Sequence, residues 1–165
     1  MKTSFFKFIF LCTLTALFAV ACTNDVVQPG AEDGVAVRIS ADAGGLQGST
    51  RATNNVWDKD DVIGVTMVTP QTLDVINPYR NFGYITPGDG KFSPNNAGQI
   101  IYFPTNDAEV TFKAYYPYKK DLAPNLLIPV STKDQKILAD IDLMTAEHLS
   151  GTSTKDPNVK LHFYH

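Results

Sequence analysis

From Val35 onward the chain repeats one pattern: short runs of alternating apolar and polar residues, separated by Pro, Gly, Asn or Asp. In "VAVRIS", Val35, Val37 and Ile39 stand against Ala36, Arg38 and Ser40, the two-residue period of a strand with one buried face. "VIGVTMV" (62–68), "YRNFGYI" (79–85), "QIIYFP" (99–104) and "EVTFKAYYPY" (109–118) are β-branched or aromatic runs bounded by turn formers. "LLIPV" (126–130), "ILADIDLM" (137–144) and "VKLHFYH" (159–165) continue the series, the last with Val159, Leu161 and Phe163 inward and Lys160, His162 and Tyr164 outward. Residues 133–144 alone leave helix and strand both open. "TPGDGK" places Asp89-Gly90 where a hairpin needs positive φ. In the 109–118 run, Val110, Phe112, Ala114 and Tyr116 share one face, Thr111, Lys113 and Tyr115 the other, and Pro117 limits the ladder. "ADAGGLQGSTRATNN" (41–55) has three glycines among small and polar residues, so it reads as an exposed connection with no face to bury. Seven or eight strands at this spacing predict an all-β fold, a two-sheet antiparallel β-sandwich. Because the alternation reaches His165 with no turn or polar tail, the sandwich is expected to be truncated at its C-terminus.

The N-terminus follows different rules. Lys2 and Lys7 precede an apolar stretch from Phe8 to Val20, and small residues Ala19 and Ala21 stand just before Cys22. This is the plan of a secretory signal peptide over residues 1–21, too short an apolar run to span a bilayer as a helix. Both export routes cut before Cys22. An ordinary peptidase would use Ala19-Val20-Ala21, whereas the lipoprotein route would acylate Cys22 first. Cys12 leaves with the signal, so Cys22 has no internal disulfide partner, and lipidation at Cys22 accounts for an otherwise odd exported thiol. One feature departs from a lipobox: Leu17 lies five residues before the cysteine, and Ala19 occupies the usual leucine position. Residues 22–34, with Pro29, two glycines and three acids, read as a solvated tether, leaving 35–165 as one folded domain.

Composition narrows the chemistry. The formal charge is −3, and losing the signal removes two lysines and no acid, which argues against a nucleic-acid partner. No G-x-S-x-G elbow, P-loop, H-E-x-x-H or dinucleotide turn is present, so neither an enzyme nor a cofactor is expected. Asp58, Asp60 and Asp61 in "WDKDDVIG" fail the EF-hand spacing at Val62 and Ile63 and read as a charged turn. Asp140 and Asp142 would share a strand face without the surroundings of a glycosidase pair. His162 and His165 point to opposite faces of a strand, which argues against chelation; no metal is expected. Tyr115, Tyr116 and Tyr118 could stack on sugar rings. Tyr116 shares the inward face with Phe112, so Tyr115 and Tyr118 are the candidate ligand contacts.

The ordered set "STRATNNVWDKDDVIGV", "GKFSP", "IIYFP", "VTFKAYYPY", "DIDLMTA" and "VKLHFYH" resembles the Bacteroidales-type fimbrillins, the fimbrillin-A and minor-fimbrillin-like lipoproteins, over Ser49 to His165. The resemblance implies a transthyretin-like sandwich as in fimbrillins, of which this chain would be the N-terminal portion of two domains. It also implies a lipid-anchored subunit at the outer membrane and cell surface, trimmed after an arginine by an extracellular protease and assembled by strand exchange into a fimbrium with other fimbrial subunits. Host or glycan ligands are implied as well. Arg51, in a Gly/Ser/Thr/Asn-rich segment, suits the trimming site, with Ala52 as the new N-terminus; Arg38 should be shielded inside a strand. Cutting there would free the lipid on Cys22 and the removable strand carrying Val35, Val37 and Ile39. The alternative reading is an intact surface lipoprotein that binds glycans through its tyrosines.

Overall fold

Val62–Val68 forms an interior strand of the sheet, and its alternation is masked by burial on both sides: Ile63, Val65, Met67 and Val68 are all fully enclosed. The structure, a computed structural model, describes residues 34–44, 56–122 and 143–164. The runs expected at 126–130 and 137–142 lie outside the described residues. Within them the strands are β1 (Arg38–Ala43), β2 (Val62–Val68), β3 (Phe82–Ile85), β4 (Lys91–Pro94), β5 (Val110–Tyr116), β6 (Met144–Thr152) and β7 (Asn158–Phe163). A single 3₁₀ turn, Ala97–Gln99, is the only helical element among the described residues.

The all-β expectation holds. The strands join in a seven-stranded order β6-β5-β2-β3-β4-β1-β7. β4 is the splice: Lys91 and Phe92 pair with Ser40 and Ile39 of β1, while Ser93 and Pro94 pair with Ile85 and Tyr84 of β3. Wholly antiparallel pairing is corrected, because β1 runs parallel to β7 over six residues, from Arg38↔Asn158 to Ala43↔Phe163. Thr145 and Tyr164 then exchange two hydrogen bonds of 2.9 and 3.0 Å, bringing the outer strands β6 and β7 together and curling the sheet nearly into a barrel. Alternation reports which face of a strand is buried and is blind to which strand lies beside it.

Three boundaries differ from expectation. β1 continues to Ala43, with Ala41 and Ala43 buried, because the small residues at the start of the 41–55 connection still alternate. "QIIYFP" buries Ile101 and Phe103 as its pattern requires, yet forms only a bridge from Tyr102 to Ala36, since residues 35–37 are all it pairs with. β6 was not expected: "TAEHLSGT" is small and polar, a poor strand signal. The β3–β4 hairpin forms as expected, with Gly88 and Gly90 at φ 105° and 76°.

One aromatic group ties the curled sheet together. Trp57 meets Phe92, Phe163 and Tyr116 edge-on at centroid distances of 5.2, 5.2 and 5.4 Å. It thereby joins β4, β7 and β5 through the favourable edge-to-face geometry of aromatic rings. Nearby, fully buried Tyr84 accepts the backbone N–H of Ile101 at 3.1 Å, and desolvation pushes its hydroxyl pKa up to about 12.

Candidate functional site

The functional candidate in this fold is the slot that holds β1. The segment enters over the rim, where Val37 donates to Ile101 O (2.9 Å) and Phe103 donates to Val35 O (3.0 Å). It then lies between β4 and β7, with Arg38 donating to Pro157 O and Ala41 donating to Gly90 O. Trp57 adds a lateral clamp, its indole Nε1–H donating to Ala41 O at 2.8 Å in a buried setting. Thus β1, the first strand among the described residues, is held on both sides by elements that follow it in sequence.

Of the three residues expected to fill the slot, Val37 and Ile39 do so, at 6 and 4% exposure. Val35 does not: it is 37% exposed, because it precedes β1 and sits on the rim, where its carbonyl accepts the Phe103 N–H. Ala41 and Ala43 take up the rest of the inward face. Burial of two aliphatic side chains at ~1.5–3 kcal/mol each stabilises β1 by ~3–6 kcal/mol before the ladder is counted. On the outward face, Asp42 lies between two β7 side chains, with Oδ1 2.8 Å from His162 Nδ1 and Oδ2 3.5 Å from Lys160 Nζ. These contacts escaped sequence reasoning because a parallel neighbour more than a hundred residues away leaves no local signal; alternation continuing through Ala41 and Ala43 was the one available clue. Arg38 has an exposed side chain, while its backbone is tied into the ladder. Cys22, Arg51 and Ala52 lie outside the described residues.

The tyrosines expected as ligand contacts are built into the fold. Tyr115 is buried at 6% exposure. Its hydroxyl has two acceptors for its one proton, Asn81 Oδ1 (2.7 Å) and Lys119 O (3.0 Å), and accepts Lys119 N–H (3.1 Å). Desolvation raises its pKa above the usual value. Its ring occupies the space above Gly64, where an added Cβ would come within 2.2 Å of it. Tyr118 is half-buried over Gly83, and its hydroxyl accepts a bond from Gln99 Nε2 at 3.3 Å. A free stacking platform at Tyr115 is therefore corrected: glycines at paired strand positions call for an aromatic cover, and these rings supply it.

The acidic turn is structural. Asp58 N–H donates to Asp61 Oδ2 (2.8 Å), and Asp61 Oδ1 accepts the Tyr116 hydroxyl (3.0 Å). Among the described residues no group of three or more His, Cys, Asp or Glu could hold a metal ion. Asp140, Asp142 and His165 lie outside the described residues.

A family profile described as fimbrillin-like matches residues 50–165. The chain belongs to the fimbrillin-like family. The matched region takes in Trp57 and β2 to β7, and leaves β1 outside it. Among curated proteins, this fimbrillin-like chain is 32% identical over 158 residues to a candidate fimbrium subunit, Fim1C, of Bacteroides uniformis, covering 94% of this chain and 51% of that protein. Among solved structures, it is similar to a candidate cell adhesion protein from Bacteroides uniformis, with TM-score 0.62, 30% identity, and coverage of 79% of this chain and 47% of that one. It also shares its fold with a candidate cell adhesion protein from Bacteroides ovatus, with TM-score 0.57, 24% identity, and coverage of 79 and 52%. The fimbrillin-like chain thus spans about half the length of these relatives.

Proposed function

We propose that this fimbrillin-like chain is a structural subunit, or an anchor or tip component, of a cell-surface, fimbria-like adhesive fibre, and is not an enzyme. In this reading the chain is exported as a lipoprotein, acylated on Cys22 and held at the outer membrane. An arginine-specific protease cuts Arg51-Ala52, and β1 gives way to a strand from a neighbouring subunit. The observation that carries the reading is the placement of β1: first among the described strands, inserted between β4 and β7, and joined to the remainder through the segment that contains Arg51. Removal of β1 opens an apolar slot with two unsatisfied ladder edges, which favours replacement by another strand. Family membership and the fimbrium and adhesion names of the relatives support the same role. The transthyretin-like two-sheet description belongs to this reading too: β4, shared between two ladders, is where one curled sheet would be counted as two.

Limited digestion of the full-length protein with an arginine-specific protease tests the proposal. The expected first product begins at Ala52, ahead of any cut at Arg38 or Arg80, and higher oligomers follow. Early cleavage at Arg38 with Arg51 intact, or cleavage at Arg51 with the protein remaining monomeric, would overturn it. Replacing Cys22 by Ser is expected to abolish membrane association; retention of that association would remove the lipid anchor from the scheme.

A further inference from the structure

The slot is graded in size along its length. In the parallel register, Ile39 lies beside Val159, Ala41 beside Leu161 and Ala43 beside Phe163. Inward side chains therefore grow along β7 from Val to Leu to Phe while those of β1 shrink from Ile to Ala, and all six are buried. The narrow end is firmly built. Phe163 packs edge-on against Trp57, which is itself bonded to Ala41 O. At Gly44 an added Cβ would sit 2.4 Å from the carbonyl oxygen of Phe163, a backbone atom that cannot rotate aside. Between the two alanines the outward residue is Asp42, facing Lys160 and His162.

We propose that this slot selects its incoming strand by size and charge. The occupant is a β-strand of a neighbouring fibre subunit, running parallel to β7, with the order aliphatic, any, aliphatic, any, small, acidic, small, glycine. The proposal rests on the strand-exchange reading and adds which strands qualify. Its physical basis is register. A slip of one residue turns the apolar face outward, which any buried strand resists. Slipping by two keeps the faces correct, and a uniform apolar slot would tolerate it. The graded slot does not, because a two-residue slip toward the narrow end drives Ile39 into the space of Ala41, where overpacking is penalised, and a two-residue slip the other way leaves Ala41 in the space of Ile39, which opens a cavity. Meanwhile the slip toward the narrow end moves the acid away from Lys160 and His162.

Two measurements separate the grading from the exchange. In the uncut full chain, Ala43→Leu and Ala41→Leu are each expected to lower the melting temperature by several degrees, while Ile39→Leu stays close to wild type. An Ala43→Leu protein melting with wild type would overturn the grading; should the leucine variants fail to fold, Ala43→Val serves in their place. The second measurement mixes Arg51-cut protein with labelled peptides carrying the Val35–Gly44 sequence, the same with Leu at positions 41 and 43, and the same with Lys at 42. After gel filtration the native peptide is expected on the protein, with the leucine peptide held at least about tenfold more weakly and the lysine peptide also reduced. Equal retention of the native and leucine peptides would sink the selection rule while leaving exchange in place. Retention of none, with the protein's own β1 segment still bound, would end strand exchange and the partner assignment, and the melting series would still judge the grading.

Discussion

Gly64 faces Gly83 across the β2–β3 pair, and the rings of Tyr115 and Tyr118 lie over the space that two side chains would fill. A methyl group at position 64 would meet the Tyr115 ring, whose hydroxyl is fixed by Asn81 and Lys119, so the ring cannot move aside without breaking those bonds. Gly64→Ala is expected to cost about 1–3 kcal/mol of stability, the range for forcing extra volume into a packed site, read from urea midpoints at constant slope. Asp107 offers a test by pH. Hydrogen bonds from Thr154, then from Lys155, lower its pKa from 3.8 to about 2 and join the turn before β5 to the turn between β6 and β7. A carboxyl group depressed on folding contributes stability above its unfolded pKa and loses that contribution as pH falls from 3.8 toward 2. Asp107→Asn should therefore flatten the acid limb of the stability profile over that interval. An unchanged limb in a urea series at successive pH values would show that these bonds do not couple to folding.

At the scale of elements, β1 is held by a ladder on each side and by one side-chain bond from outside the sheet, that of Trp57 to Ala41 O. Trp57→Phe keeps an aromatic ring near Phe92 and Phe163 but removes the donor. A buried hydrogen bond contributes about 0.5–1.5 kcal/mol net, so β1 should leave the Arg51-cut protein roughly 2–10 times faster, as followed by loss of a label on its N-terminal fragment. An unaltered rate would mean that the ladder alone holds the strand. The sequence revealed the faces of these elements better than their partners. Val37, Ile39, Val159, Leu161 and Phe163 were legible as inward because a period of two is a local property. Parallel pairing of β1 with β7 was not, since it depends on residues far apart in the chain. Small residues hid two further features: Ala41 and Ala43 resemble a connection by composition, and β6 is polar enough to be passed over. Tyr115 shows the opposite case: it is a candidate ligand contact by its outward face, yet its ring is buried over a glycine that lies on another strand.

For the whole molecule, the sheet curls nearly into a ring, its ends bridged between Thr145 and Tyr164, and among the described strands β1 alone precedes the proposed cut. While Arg51-Ala52 is intact, β1 and its slot share one chain, and folding is independent of protein concentration. Cutting that bond makes the same contacts intermolecular, so stability follows mass action on the free strand. The cut protein should therefore melt at a temperature that rises with added β1 fragment, whereas the intact protein should not respond. Taking the fragment to a hundred times its dissociation constant adds about 2.7 kcal/mol, enough to move a transition by several degrees in calorimetry. In the proposed exchange a competing strand that fits the slot would act through the same term, so a neighbour with higher affinity or higher effective concentration would displace β1 with no other source of energy. If the cut protein instead melted at one temperature across that whole titration, β1 would be contributing nothing to the fold, and its exchange could not drive assembly.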